Sequence, residues 1–312
     1  MSAAGAEEHR PASSRAPSWL GTMGKRPWLR GARERLAALR FDRIEAIPQS
    51  PTIGAEIRGV DLAEELPDAV VDELRTALVE FKVLFFRAQG IDVHQQSAFA
   101  ARFGELEVHP FLPANTEHAH VIRFAKDETA IGYENIWHSD VSWREIPSLG
   151  SVLRALGVPP VGGDTLWCDM EAVYDGLPDA LKQELEGRTA VHDFAHSFGL
   201  ALSPDELARR RAEFPPARHP VVRRHPESGR RCLYVNPIFT SHVEGMPREE
   251  SDALLARLCE EARVPEYQVR LRWAPGTVAF WDNRSTQHYA ASDYWPMPRV
   301  MERVTIIGDR PR

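Results

Sequence analysis

The residues of this sequence best suited to chemistry are three possible metal ligands. His138 and Asp140 stand two positions apart, and on an extended strand residues i and i+2 point to the same face. An imidazole and a carboxylate can therefore be directed at one point, and His288 can add a second imidazole. Two histidines and one carboxylate on one side of a metal leave coordination positions open, as in non-haem Fe(II) oxygenases. Alone, a His-x-Asp pair is more often a surface pair than a metal site, so its context decides.

Two arginines near the end of the chain share one face of a predicted strand. In residues 298–306, Arg299 and Arg303 alternate with valines and fall on the same side as Met301. Two guanidinium groups that point the same way inside a protein are costly unless anions neutralise them. The pattern therefore predicts a site for anions.

Several short motifs follow one another between about Ile53 and Asp309. They are Phe103-Gly104-Glu105-Leu106 with His109, Trp137-His138-x-Asp140, Gly162-Gly163-Asp164-Thr165-Leu166-Trp167, Trp281-Asp282-Asn283-Arg284 with Thr286-Gln287-His288-Tyr289, and Arg299 with Arg303. In order and spacing the set resembles the taurine dioxygenase (TauD/TfdA) family of Fe(II)- and 2-oxoglutarate-dependent dioxygenases.

The resemblance implies a role for each motif. His138, Asp140 and His288 would hold Fe(II), and Arg299, helped by the Thr165 hydroxyl, would pair with the distal carboxylate of 2-oxoglutarate. His109 and Arg303 would grip an anionic substrate. The implied reaction consumes O₂ and 2-oxoglutarate, yields succinate and CO₂, and hydroxylates an aliphatic C–H bond.

The residue types agree with these roles, although simpler interpretations exist. An arginine suits the far end of a diacid because its planar fork binds a carboxylate bidentately and stays charged when buried. Without the family spacing, Arg299 could be a surface salt bridge, Thr165 a strand residue, and His109 a loop histidine that caps a local turn.

The predicted substrate is a small anion: a sulfonate, a sulfate ester or a carboxylate. Two neighbours of the predicted anion site differ from the taurine enzyme, with Leu112 in place of a tyrosine and Glu134 in place of an asparagine. Glu134 could bind an ammonium group or face solvent, and taurine becomes doubtful as the substrate. Five aromatic residues could line the pocket, although core packing is the more common role for such residues: Trp137, Trp167, Phe198, Phe239 and Trp281.

Two other functional classes stay open. A non-catalytic jelly-roll protein could bind a small molecule in the same pocket. A metal-dependent hydrolase could use zinc, which binds nitrogen and oxygen ligands more tightly than Fe(II) does. Neither explains a dedicated cation for a diacid at Arg299.

The predicted fold is mixed α/β, of the α+β type. Helices are expected from Pro67 and over 93–103, and strands over 52–60, 136–143 and 299–307. Many short strands with interspersed helices suggest a double-sheet structure. The family resemblance implies a double-stranded β-helix (jelly roll) core with flanking helices.

Composition favours one catalytic domain in the cytoplasm. The 312 residues carry a net charge of −7, which gives no general attraction to nucleic acid or to an anionic membrane. The three cysteines lie far apart and indicate neither a disulfide framework nor a zinc site. The resemblance implies a homo-oligomer, either a dimer or a tetramer.

The chain is expected to have two parts, the second of which contains an insert. Residues 1–45 are basic and are expected to form a mobile leader, with eight Lys/Arg against three acids in the first forty positions. Residues 46–312 are expected to form the single dioxygenase-like domain. A charge-rich helical insert is predicted over about 175–216.

Overall fold

The computed structural model describes residues 26–112, 118–130 and 134–312. Its strands, in chain order, are β1 (Glu45–Pro48), β2 (Ala55–Arg58), β3 (Val83–Phe86), β4 (Val121–Lys126), β5 (Ser148–Gly157), β6 (Thr165–Asp169), β7 (Thr189–His192), β8 (Ala217–Pro220), β9 (Val222–Arg224), β10 (Arg231–Leu233), β11 (Thr240–Val243), β12 (Gln268–Leu271), β13 (Val278–Asp282), β14 (Thr286–Ala290) and β15 (Arg299–Ile307). The helices are α1 (Leu29–Ala38), α2 (Asp68–Phe81), α3 (Val93–Ala101), α4 (Met170–Gly176), α5 (Asp179–Leu185), α6 (Pro204–Glu213) and α7 (Arg248–Glu260).

A large sheet forms one layer of the molecule. Its strand order is β1-β2-β3-β13-β5-β15-β4, and the β2–β3 pair is parallel whereas the other pairs are antiparallel. The central strands are apolar along most of their length, as expected for strands covered on both faces. β15 lies between β5 and β4, so its inward side chains face the second layer.

A smaller sheet of order β12-β6-β14 faces the large one. The core between them includes Trp167 from the small sheet and Trp281 and Met301 from the large one, all almost completely buried. This double-sheet arrangement, with helices on its outside, is the predicted mixed jelly-roll architecture. Two further small sheets, β11-β7-β8 and β9-β10, extend the small-sheet side.

The helices α2 and α3 cover the outer face of the large sheet. α2 begins directly after Pro67, as predicted, and buries Leu74, Leu78 and Phe81 at helical spacing. α3 begins with a capping box, in which Asp92 accepts from the Gln95 N–H and the Gln95 side chain accepts in return. These helices close the core on the side away from the candidate site.

The described part of the predicted leader, residues 26–45, packs on the domain. Leu29 and Leu36 of α1 are buried, and the Trp28 indole N–H donates to the Tyr267 hydroxyl at 3.1 Å. Because these apolar side chains are covered, residues 26–45 belong with the domain rather than with a mobile leader. Residues 1–25 lie outside the described residues.

The predicted insert, about 175–216, is only partly helical. It contains α5 and α6, but its residues 189–192 form the strand β7, which pairs with both β8 and β11. Ala190 and Val191 are buried in that sheet, so burial outweighs the helical tendency of the flanking sequence. In the part of the chain that the structure describes, no helix is long and apolar enough to cross a membrane.

Candidate active site

A single β-bridge holds the two histidines together. The His138 N–H donates to the His288 carbonyl at 3.0 Å, and the His288 N–H donates back to the His138 carbonyl at 2.8 Å. The two imidazole rings lie with their centroids 4.2 Å apart. Residues far apart in sequence are thus fixed as a directly opposed, hydrogen-bonded pair.

The segment around His138 is not the strand that was expected over 136–143. Apart from the bridge it consists of turns, and Val141 adopts a positive φ of 48°. A turn, rather than strand alternation, therefore brings Asp140 beside the histidines. The predicted meeting of the three side chains holds, because one ligand atom from each lies within 4.8 Å of the others.

A contact of the His138 ring with the backbone fixes which ring nitrogen faces the candidate metal site. Its Nδ1 lies 2.7 Å from the Ile136 carbonyl oxygen, which can only accept a hydrogen bond. Nδ1 therefore carries a proton, and Nε2 is the ring nitrogen that faces Asp140. Burial lowers the pKa of His288 to about 3, with a further contribution from His138, so the His288 imidazole is neutral near pH 7.

Asp140 supplies the negative charge of the cluster. Burial raises the pKa of its carboxyl, but the attraction of Arg303 outweighs burial and holds the pKa well below its usual value. Its Oδ1 accepts from Arg303 Nη1 at 2.9 Å, and its Oδ2 accepts from the Ser151 hydroxyl at 3.2 Å. Two imidazole rings and one ionised carboxylate suit a divalent transition metal such as Fe(II).

Asn283 supports this cluster from behind. Its side-chain oxygen accepts from the Asp140 N–H at 3.3 Å and from the Trp281 indole N–H at 3.0 Å. Its amide donates to the Ser148 hydroxyl at 2.9 Å. The Trp-Asp-Asn-Arg motif therefore positions the ligand Asp140, a role that sequence reasoning did not assign to it.

Arg299 lies at the other end of the site and is nearly buried. Its Nε donates to the Gly163 carbonyl at 3.1 Å, and its Nη2 reaches the Thr165 hydroxyl at 3.5 Å. Burial lowers the pKa of this guanidinium, and among the described residues no carboxylate forms an ion pair with it. Thr165 also accepts the Trp273 indole N–H at 2.9 Å, so its own hydroxyl proton can be donated elsewhere.

His109 and Arg303 come together on the side of the cavity near Asp140. His109 Nδ1 accepts the backbone N–H groups of Phe111 and Leu112, each at 3.1 Å. The proton must therefore sit on Nε2, and burial lowers the pKa of His109 to about 3, followed by repulsion from Arg303. His109 is thus a neutral N–H donor beside a cationic one.

One cavity of about 130 Å³ connects these groups. Its wall contains the three candidate metal ligands together with His109, Thr165, Arg299 and Arg303, and also Leu112, Glu134 and Phe198. Phe198 stacks near-parallel on Phe111 with centroids 5.2 Å apart and meets His109 edge-on at 5.3 Å. Most of the remaining wall is apolar, so the cavity combines cationic ends with a hydrophobic body.

The candidate pocket aromatics divide into two groups. Phe198, Phe239 and Trp281 line the cavity. Trp167 packs instead in the core between the sheets, and Trp137 packs on Tyr289 with centroids 5.5 Å apart. The residue type alone therefore does not distinguish an aromatic side chain in the cavity wall from one in the core.

Glu134 lies at the cavity wall and forms an ion pair with Lys126 at 3.0 Å. From the sequence, Glu134 could bind an ammonium group or face solvent, and neither interpretation anticipated this ion pair with Lys126. Lys126 stands opposite Arg299 in the β4–β15 register, which explains why the pair lies close to that arginine. Lys126 and Tyr294, which also line the cavity, were missed because no motif marks them.

Comparisons with known proteins agree with this geometry. Residues 44–305 match the model of the family described as taurine catabolism dioxygenase TauD, TfdA family. The chain is 38% identical to an alpha-ketoglutarate-dependent sulfate ester dioxygenase from Pseudomonas putida, over 86% of this chain and 91% of that protein. It is 36% identical to an alpha-ketoglutarate-dependent 2,4-dichlorophenoxyacetate dioxygenase from Cupriavidus pinatubonensis, over 85% and 98% of the two chains.

A solved structure extends the likeness to three dimensions. The crystal structure of a taurine dioxygenase from Burkholderia xenovorans superposes with a TM-score of 0.75 at 37% identity, covering 86% of this chain and 91% of that chain. The match includes the predicted jelly-roll core, and the His-Asp-His cluster fits the iron that this family uses. The chain therefore belongs to the TauD/TfdA family, and it is an oxidoreductase that acts on a small molecule with Fe(II), 2-oxoglutarate and O₂.

Proposed function

We propose that the enzyme hydroxylates an aliphatic C–H bond of a small anionic substrate that carries an apolar tail. His138, Asp140 and His288 would hold Fe(II), Arg299 with Thr165 would bind 2-oxoglutarate, and His109 with Arg303 would bind the substrate anion. The observation that carries the proposal is that one cavity brings together two arginines of β15 and the cluster of two histidines and one carboxylate.

Arg299 is suited to the distal carboxylate of the cosubstrate. With Nε bonded to Gly163, its two terminal nitrogens remain for a carboxylate, and the Thr165 hydroxyl can donate a further hydrogen bond. With its Nδ1 bonded to the Ile136 carbonyl, His138 would present Nε2 to the metal. When bound, Fe(II) and 2-oxoglutarate supply the oxidising chemistry, in which O₂ gives one oxygen atom to succinate and one to the substrate as CO₂ leaves.

His109 and Arg303 differ in charge, which suits a monoanionic head group. Arg303 would neutralise the anion, while the Nε2–H of His109 would donate to a second oxygen without adding charge. Because both lie beside Asp140, the bound head group would place its adjacent carbon near the metal. Positioning of this kind decides which C–H bond reacts.

The apolar wall supports an alkyl or aryl tail on that head group. Leu112 and Phe198 contribute apolar surface to the cavity wall, and Glu134 is already paired with Lys126. An ammonium tail such as that of taurine would have to compete for that carboxylate. The names of the relatives, which specify sulfate esters and a phenoxy acid, support sulfate esters and carboxylates as the classes to test first.

The alternative functions account for fewer of these groups. A hydrolase would use water on the metal and would leave Arg299 without an anion, and a non-catalytic binding protein does not fit membership of an enzyme family. The three cysteines are free, which is compatible with the proposed cytoplasmic location.

The test is a screen for substrate-dependent succinate formation under Fe(II) and O₂. Alkyl sulfates, sulfonates, aryloxy acids and amino acids would be compared, with Asp140→Ala as the inactive control. Hydroxylation at the carbon that bears a sulfate ester would release an aldehyde and sulfate, which identifies the reacting carbon. Turnover of amino acids or neutral alcohols in preference to every anion would contradict the proposal.

A further inference from the structure

One carboxylate oxygen serves two neighbours in the candidate metal centre. Asp140 Oδ1 lies 3.8 Å from His138 Nε2 and 3.9 Å from His288 Nε2, so this oxygen faces the position of a metal ion. The same atom accepts from Arg303 Nη1 at 2.9 Å, whereas Oδ2 accepts from Ser151. A metal held by these three ligands would therefore share its carboxylate oxygen with a guanidinium group.

Little else in the described structure neutralises Arg303. Its side chain is 9% exposed, Asp140 is the one described carboxylate that pairs with it, and its Nε is buried without a hydrogen-bond acceptor. Glu107 lies nearby but is bonded to Arg144, and His109 is neutral. The positive charge of Arg303 therefore acts mainly on the ligand oxygen.

The hydrogen bond from Arg303 to Asp140 Oδ1 should weaken metal binding by that oxygen. A cation bonded to a ligand oxygen withdraws electron density from it and repels a second cation, and both effects are large where water is excluded. An anion that binds the free side of Arg303 offsets its charge. The metal site and the anion site are thus linked through one side chain.

Building on the proposed function, we infer that Arg303 couples metal affinity to occupation of the anion site. With no anion bound, Arg303 weakens the hold of the triad on a divalent metal. An anionic head group on Arg303 strengthens that hold. By linkage, the metal strengthens anion binding by the same factor.

The experiment measures Mn(II) affinity, by the EPR signal of free Mn(II) and by calorimetry, without 2-oxoglutarate. The probe anion is hexyl sulfate, and hexan-1-ol is its neutral control. In the unaltered enzyme, hexyl sulfate should tighten Mn(II) binding at least about fivefold, and hexan-1-ol should not. Arg303→Gln should bind Mn(II) at least about fivefold more tightly than the unaltered enzyme and lose the response to hexyl sulfate.

Arg123→Gln is the matched control. Arg123 lies on β4 beside β15 and pairs with Glu302, but it is half-exposed and does not line the cavity. This variant should behave like the unaltered enzyme. Equal or weaker Mn(II) affinity in a folded Arg303→Gln, or a hexyl sulfate response that persists in it, overturns the inference.

Two measurements keep the outcome clear. If Arg303→Gln does not fold, the unaltered enzyme still decides. Mn(II) affinity that hexyl sulfate leaves unchanged, or that hexan-1-ol raises equally, overturns the coupling. Mn(II) binding that is unchanged in Asp140→Ala would instead refute the proposed metal site, which separates the two failures.

Discussion

Replacing Arg299 with alanine should weaken 2-oxoglutarate binding far more than any effect on folding would explain. The guanidinium is nearly buried, its Nε is bonded to Gly163, and its terminal nitrogens are available to one carboxylate. Truncation of one partner of a buried, hydrogen-bonded charge pair costs about 2–5 kcal/mol. At about 1.4 kcal/mol for each factor of ten, the Kd should rise by roughly 30-fold to several thousand-fold.

The assay is a calorimetric titration of 2-oxoglutarate into Mn(II)-loaded enzyme in the absence of O₂. Arg272→Ala is a suitable control, since Arg272 is an exposed arginine that donates to the Pro160 carbonyl outside the cavity wall. Its Kd should match that of the unaltered enzyme. A change of less than twofold in folded Arg299→Ala would refute the assignment of Arg299 to the cosubstrate.

Three further outcomes are expected. Asp140→Ala should abolish Mn(II) binding and succinate formation while circular dichroism shows an intact fold; turnover with metal still bound would contradict the ligand assignment. Arg303→Ala should raise the Michaelis constant for the true substrate much more than that for 2-oxoglutarate, whereas a parallel rise in initial-rate kinetics would place Arg303 in the cosubstrate site. Burial lowers the pKa of His109 to about 3 and of His219 to about 4 from 6.5, so between these values the unfolded chain binds more protons than the folded chain. The free energy of unfolding of metal-free enzyme, measured by urea unfolding at a series of pH values, should therefore fall as the pH drops from about 6.5 towards about 4. The fall should be up to about 1.4 kcal/mol per pH unit for each histidine. In His219→Gln the free energy of unfolding should fall less steeply with pH.

Much of the fold could be predicted where local periodicity and burial agree. Helix α2 begins after Pro67 because that residue suits a helix start and the following apolar residues recur at helical spacing. The strand predicted over 136–143 failed because a turn with positive φ at Val141 interrupts it after a single bridge. That bridge pairs His138 with His288, and such long-range pairing is invisible to local pattern.

The candidate site could be predicted at the level of residue types but not of their partners. Alternation along β15 directs Arg299 and Arg303 to one face, so the sequence places two equivalent cations at the cavity. The folded chain makes them different, because Arg303 pairs with Asp140 whereas no described carboxylate pairs with Arg299. Under the proposed function, the cation at Arg299 would be paired by a carboxylate of the cosubstrate. Arg303 is already partly neutralised by Asp140, so it would hold the substrate anion less strongly than an unpaired arginine would.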